Sequence, residues 1–126
     1  MVTIMKPGHT GFKRFIYATR FSWQGLRAAW RQESAVRQEL AVIAVGLVCT
    51  AILPVTAVEA TLLVGSLLLV LIVELLNTAV ESVVDRISDD IHPLSGQAKD
   101  LGSAAVLIST VVAAFTWIML ALPKIL

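Results

Sequence analysis

The chain has 126 residues, 57% of them hydrophobic, and a mean hydropathy of +0.83. A soluble domain of this length would not need such apolarity, so the composition indicates a small integral membrane protein and excludes an ordinary soluble enzyme. The formal net charge is only +1, and no nucleic-acid partner is expected. The single cysteine, Cys49, lies within an apolar run, which excludes an internal disulfide and a cysteine metal cluster.

The first predicted element is a basic region at about residues 11–37. Ser22 is a plausible N-cap for a second helix within it. In that helix Trp23, Leu26 and Trp30 fall at i, i+3 and i+7, with arginines beside them. Basic helices with an apolar face of this kind lie in the membrane interface. We therefore expect an amphipathic helix on the bilayer surface.

Glu33 extends the Trp/Leu face of this helix by three residues, where another apolar residue would be expected. An ion pair with Arg37 at i+4 on a solvated face would explain Glu33 without a functional role. Spacing alone leaves the structural and the functional interpretation open. Glu39 is expected at the level of the lipid headgroups.

Three apolar runs predict three transmembrane helices, at about residues 40–58, 61–85 and 102–122 of a single membrane domain spanning residues 1–126. The short connection after the first run carries only Glu59, whereas several basic residues precede that run. Basic residues mark the cytoplasmic side, so the N-terminus is expected in the cytoplasm and the C-terminus outside. These basic residues are Lys6, Lys13, Arg14, Arg20, Arg27, Arg31 and Arg37.

The second predicted span, one helix from about Thr61 to Arg86, carries a polar stripe. At about 100° per residue, Glu81 and Asp85 lie within about 20° of Glu74, and Asn77 within about 60°. Ionisable groups inside a span cost at least a few kcal/mol each unless they are paired, solvated or metal-bound, so they indicate a functional site. Three carboxylates on one stripe also favour a cation between them. The alternative is a helix leaving the membrane, with its last two acids in water.

The residues near the cytoplasmic edge include the groups that phosphoryl transfer requires. Carboxylate oxygens without His or Cys suit Mg²⁺, and a lysine beside them suits phosphate. The chain contains none of the glycine-rich or catalytic-loop motifs of soluble kinases, so a lipid hydroxyl is the expected acceptor. The residues concerned are Glu33, Glu74, Asn77, Glu81, Asp85, Lys99 and Asp100, with Arg14 and Arg20.

Three segments closely resemble the prokaryotic diacylglycerol kinases. They are E-x-x-N-x-x-x-E-x-x-V-D-R over residues 74–86, SGQAKDLGSAAV over residues 95–106 and GLRAAW over residues 25–30. The resemblance runs from about Thr10 to the end of the third span. It implies an all-α homotrimeric enzyme of the bacterial inner membrane, with a surface helix and three spans. It also implies an ATP- and Mg²⁺-dependent kinase that makes phosphatidic acid from diacylglycerol in phospholipid biosynthesis.

The resemblance also implies roles for individual residues. Glu74 matches the general base, and Glu33 and Glu81 match the metal ligands. Because three thin spans cannot shield the acidic stripe from lipid, we expect an oligomer with sites between protomers, in which Glu33 and Glu74 can come from different chains. The expected ATP contacts are Arg14, Phe21, Glu33, Glu81, Asp90, Ile91, His92, Lys99 and Asp100; the lipid contacts are Arg14, Glu74 and Ser103; the supporting residues are Asn77 and Asp85.

Three positions depart from the usual residues of this family, and all concern nucleotide contacts. Phe21 stands where tyrosine is common, Pro93 replaces an acidic residue and Gln97 replaces an arginine. Two other functions would use the same stripe. An undecaprenol kinase would phosphorylate a polyprenol with the same carboxylates, and a small ion- or drug-coupled transporter would carry protons on Glu74.

Overall fold

The computed structural model describes residues 10–126. These residues contain no strand and form five helices: α1 (Phe12–Gln32), α2 (Ser34–Ile52), α3 (Ala57–Ile87), α4 (Pro93–Leu120) and α5 (Leu122–Ile125). They divide into two compact units, one ending at Gln32 and the other running from Glu33 to Leu126. The predicted all-α class is confirmed. Lys6, one of the basic residues named above, lies outside the described residues.

Within the described part of the chain, three helical stretches are long and apolar enough to cross a membrane. They are Ser34–Ile52, Ala57–Ile87 and Pro93–Ile125. Each includes most of one predicted span and extends beyond it at the cytoplasmic end of the predicted topology. A helix continues past the hydrocarbon wherever its backbone hydrogen bonds continue, so its bounds need not coincide with those of the apolar run.

The first unit contains α1, which is one uninterrupted helix. The predicted helix start at Ser22 is wrong, because the Ser22 hydroxyl donates a 2.8 Å hydrogen bond to the carbonyl of Ala18, four residues back. Thr19 bonds to the carbonyl of Phe15 in the same way, at 2.9 Å. Hydroxyl side chains inside helices commonly satisfy themselves in this manner, so a serine does not by itself mark a helix start.

Glu33 occupies the N-cap of α2 in the second unit. Its backbone is extended (φ −119°, ψ 114°), and its side chain makes no capping hydrogen bond. The expectation that Glu33 continues the helical face of Trp23, Leu26 and Trp30 is therefore wrong, because α1 ends one residue earlier. The break leaves the Glu33 carboxylate at the start of the helix that carries the first span.

The connection between α2 and α3 is closed by a capping box. The Thr56 hydroxyl accepts a hydrogen bond from the Glu59 amide at 3.1 Å, and the Glu59 carboxylate accepts one from the Thr56 amide at 3.1 Å. This reciprocal arrangement satisfies two amides that would otherwise have no partner. It starts α3 at Ala57, somewhat before the predicted start at Thr61. The predicted single helix through the acidic stripe is confirmed.

His92 and Pro93 start α4. The His92 side chain accepts a hydrogen bond through Nδ1 from the Leu94 amide at 3.1 Å, and Pro93 stands at the first helical position. Proline suits that position because its fixed φ is helical and its missing N–H would have had no partner there. Ser95 lies within the first turn of α4 and is not its cap. The departure of Pro93 from the family pattern is compatible with a normal helix start.

The helices α2, α3 and α4 pack around a small apolar core of Ile43, Leu67, Val70 and Ala113, with Leu40, Leu71 and Trp117 against it. Trp117 donates a 3.1 Å hydrogen bond from Nε1 to the carbonyl of Leu63, which also accepts from the Ser66 hydroxyl at 2.8 Å. Gly46 allows this approach, because a Cβ there would collide with Leu67 and lie 3.2 Å from Cζ2 of Trp117.

Candidate active site

The polar stripe lies on the second half of α3, as predicted. Glu74, Asn77 and Glu81 are half-buried, whereas Asp85 is exposed. The side chains of Asn77 and Glu81 are joined by a hydrogen bond from Nδ2 to Oε1 of 3.3 Å. One helix thus presents a carboxylate deep in the apolar segment, an amide one turn on, and further carboxylates towards its C-terminal end.

Glu33 adds an acid from a second helix. The negative charges of Glu33 and Glu81 both act on Glu74, so the N-cap of α2 lies within electrostatic reach of the α3 stripe. The three acids do not converge on one point, since the described residues contain no group of three or more His, Cys, Asp and Glu side chains placed to hold a metal ion. Glu74 and Glu81 are separated by roughly 10 Å along the helix. The acids therefore form a line of negative charge.

Lys99 brings a cation to this line from α4. Its Nζ lies 2.7 Å from Oδ1 of Asp85, with the two side chains 46% and 65% exposed. The ammonium group also interacts electrostatically with Glu81. An ion pair this exposed contributes little to stability, but it holds the lysine at the edge of the acidic stripe, where a phosphate could bind.

A cleft of about 300 Å³ lies between the end of α3, the following loop and the start of α4. Its lining includes Asp85, Asp90, Ile91, His92 and Lys99. The loop is held partly by its own bonds, with the Asp90 amide donating to the hydroxyl of Ser88 at 2.9 Å. Four of the predicted ATP contacts thus line one cleft, of a size within the range of small-molecule sites.

The structure leaves other predicted residues apart from this cleft. Asp100 and Ser103 are exposed on α4 and do not line the cleft. Arg14 is exposed and Phe21 is half-buried, and both belong to α1 of the first compact unit. The roles expected for these four residues stay predictions.

Glu39 lies near the acidic stripe, which the sequence did not predict. One of its carboxylate oxygens, Oε1, is buried and has no hydrogen-bond partner among the described residues, and the charge of Glu74 acts on Glu39. Glu39 follows the fully buried Val36 by three residues and precedes the buried Ile43 by four. Because an acid three residues after one apolar residue and four before another lies on the same helical face as both, this spacing could have located Glu39 on the packed face of α2.

Comparison with known proteins gives one consistent result. A family model described as prokaryotic diacylglycerol kinase matches residues 20–121. The chain is 53% identical over 116 residues to the diacylglycerol kinase of Escherichia coli (strain K12), covering 92% of this chain and 95% of that relative. It is 46% identical over 110 residues to the diacylglycerol kinase of Pseudomonas aeruginosa, covering 87% and 89%. It is 44% identical over 108 residues to that of Haemophilus influenzae, covering 86% and 92%.

Proposed function

The chain belongs to the prokaryotic diacylglycerol kinase family, and from this membership we propose that it transfers the γ-phosphate of ATP to the primary hydroxyl of diacylglycerol, giving phosphatidic acid. The observation that carries the proposal is the acidic line of Glu33, Glu74 and Glu81 beside Lys99. A kinase needs such groups to position phosphates and remove a proton. A proton-coupled transporter would need Glu74 but neither the lysine nor the cleft.

Glu74 is the proposed general base. Its carboxylate takes the proton of the lipid hydroxyl as the hydroxyl oxygen attacks the γ-phosphorus. The new P–O bond forms as the bond from the γ-phosphorus to the bridging oxygen breaks, and ADP leaves with that electron pair. Among the acids of the α3 stripe, Glu74 lies furthest from the cleft. A lipid hydroxyl just below the headgroups would lie at the depth of Glu74, which suits this residue to the role of base.

Glu33 and Glu81 are the proposed ligands of Mg²⁺. Mg²⁺ in phosphoryl-transfer sites is usually bound by one or two carboxylates and by substrate phosphates. An acidic line without three converging protein ligands among the described residues suits such a site, because ATP supplies the remaining oxygens. When bound, the ion neutralises charge on the β- and γ-phosphates. Glu33 and Glu81 would hold the ion, and Glu74 would keep its carboxylate for the proton.

The cleft at the start of α4 is the proposed nucleotide site. Lys99 offers a point charge to a phosphate, and Asp85 keeps it in place through their 2.7 Å pair. Asp90, Ile91 and His92 line the same cleft. By family resemblance, Arg14, Phe21 and Asp100 also contact ATP, and Arg14 and Ser103 contact the lipid.

The proposed setting is the bacterial inner membrane. We place the N-terminus and the acidic line at the cytoplasmic side, because the basic residues cluster before the first span. The C-terminus is then external. The enzyme is proposed to work as a homotrimer, with α1 lying on the bilayer surface.

Transfer of radioactive γ-phosphate from ATP to lipid in detergent micelles tests this function. The purified chain should label diacylglycerol in the presence of Mg²⁺, and the labelling should stop when the metal is chelated. Undecaprenol in the same micelles tests the alternative within the family. Strong labelling of undecaprenol without labelling of diacylglycerol would assign the chain to polyprenol phosphorylation, and labelling of neither lipid would contradict the kinase proposal.

A further inference from the structure

Asn77 connects the acidic stripe of α3 to the start of α4. Its Nδ2 donates a 3.3 Å hydrogen bond to Oε1 of Glu81, one turn further along the helix. Its Oδ1 is buried and accepts no hydrogen bond from any described residue. On the α4 side, the amide lies directly against Gly102. Asn77 is thus enclosed between a glycine and a proposed metal ligand.

Gly102 leaves the space that Asn77 occupies. A Cβ added at position 102 would collide with Oδ1 of Asn77 and lie 3.2 Å from its Cγ. An asparagine side chain has only two rotatable bonds, with preferred rotamers about the first, so the amide could avoid the collision only by turning. Turning would move Nδ2 away from Glu81. The orientation of the amide therefore depends on the missing side chain at position 102.

The orientation of the Asn77 amide follows from its Oδ1 atom, which has no hydrogen-bond partner among the described residues. A buried acceptor without a partner loses its hydrogen bond to water and gains none in return, which is unfavourable. Exchanging the positions of oxygen and nitrogen would be worse, because Oδ1 would then face an acceptor oxygen of Glu81. The surroundings thus hold Nδ2 on the carboxylate and leave Oδ1 against Gly102.

We propose that Gly102 and Asn77 form a positioning pair for catalysis, in which Gly102 holds the amide in place and the amide orients the Glu81 carboxylate towards Mg²⁺. This inference rests on the proposed function, since it takes Glu81 as a metal ligand. Hydrogen bonds to ligating side chains fix their orientation, and their loss typically lowers metal affinity or activity about 10–100-fold. The charge of Glu81 also acts on Lys99 of α4, so this carboxylate lies within electrostatic reach of that lysine.

The pair can be tested without turnover by measuring how the purified full chain binds Mn²⁺ in the presence of a non-hydrolysable ATP analogue. Electron paramagnetic resonance gives the concentration of free Mn²⁺ and hence the Kd. Asn77→Ala and Gly102→Ala should each raise the Kd for Mn²⁺ about tenfold or more. The double variant should bind like Asn77→Ala alone, because no amide is left for the new methyl group to displace. Gly65→Ala is the matched control, since a Cβ there meets nothing within 4 Å, and it should bind like the parent protein.

Thermal unfolding in the same detergent separates positioning from folding. The proposal is overturned if Asn77→Ala is less stable but keeps the parent Kd for Mn²⁺. It is also overturned if the increases in Kd of the two single variants multiply in the double variant. If Gly102→Ala does not fold, the Kd of Asn77→Ala for Mn²⁺ decides alone whether the proposal holds. Glu81→Gln distinguishes the two levels of inference. If Glu81→Gln binds Mn²⁺ as tightly as the parent protein, Glu81 is not a ligand and the pair has no role in metal binding. If Glu81→Gln binds Mn²⁺ more weakly but Asn77→Ala binds it like the parent, Glu81 remains a ligand and only the role of the pair is removed.

Discussion

At the scale of single residues, four acids of the second unit lie at two depths along their helices. Glu33 and Glu81 lie towards the end of the helices that carries the proposed nucleotide cleft, whereas Glu39 and Glu74 lie six and seven residues further into the apolar segments. This separation corresponds to about 9–10 Å along a helix, too far for one ion to bind both levels directly. A metal at the outer level and proton removal at the inner level are therefore compatible within one site.

The metal assignment predicts that Glu33→Gln and Glu81→Gln each abolish turnover by weakening Mg-ATP binding. Glutamine keeps the shape of glutamate but loses the charge that a hard cation requires. Lipid phosphorylation measured against Mg²⁺ concentration at fixed ATP checks this. Normal Mg²⁺ dependence in either variant would remove that residue from the ligand set, and the size of the purified oligomer should not change in either.

The base assignment predicts the opposite pattern for Glu74→Gln. Its amide cannot take the proton of the lipid hydroxyl, so turnover should fall about 10²-fold or more, while the apparent affinity for Mg-ATP stays close to that of the parent. Initial rates against Mg-ATP separate the two parameters. Loss of nucleotide binding with preserved turnover would instead make Glu74 a ligand, and Asp100 would become the next candidate for the base.

At the scale of the helices, residue periodicity in the sequence predicted the course and the polar face of single helices. The contacts between helices could not be predicted from it. The stripe of α3 follows from residue spacing alone, and so does the continuity of the helix that carries it. The capping box of Thr56 and Glu59 has a readable T-x-x-E pattern, whereas Ser22 misled because a serine hydroxyl can equally bond inside a helix. The contact of Asn77 with Gly102 depends on the register between α3 and α4, which no single-helix pattern contains.

The contact of α3 with α4 near the opposite end of the helices predicts a stability effect. Trp117→Phe removes the donor to the Leu63 carbonyl but keeps an aromatic ring against Gly46. Hydrogen bonds between membrane helices average about 0.6 kcal/mol, and the lost ring volume adds to this. The free energy of unfolding in mixed micelles should therefore fall by about 1 kcal/mol. The exposed Phe115 gives the control, Phe115→Leu; equal losses in both variants would contradict a specific role for the indole.

At the scale of the whole molecule, the apolar outer faces of the three long helices are open. Val45, Leu107 and Phe115 are each 63–65% exposed, as expected for side chains that meet lipid or further copies of the chain. The acidic line is only half-buried within one chain. Because charged groups facing hydrocarbon are costly, we propose that assembly into a trimer completes their shielding.

A trimer raises the question of which chain supplies each acid. Within one chain the charge of Glu33 acts on Glu74, so the two acids are close enough to act in one site. We predict that the sites lie between protomers and that Glu33 and Glu74 of a working site can come from different chains, because three thin spans cannot by themselves shield the acidic stripe from lipid. Under that arrangement, a Glu33→Gln protomer and a Glu74→Gln protomer can complement each other at a shared site.

Mixed trimers test this prediction directly. Trimers assembled from Glu33→Gln and Glu74→Gln protomers should regain part of the activity, once mixing is verified by two affinity tags. The control mixes unsubstituted protomers with the Glu33→Gln/Glu74→Gln double variant, and activity should then fall with the square of the fraction of unsubstituted chains. If the first mixture stays inactive, and the activity of the control is proportional to that fraction, each site is contained within one chain. Sharing between chains would then be wrong, because each protomer would supply both acids of its own site.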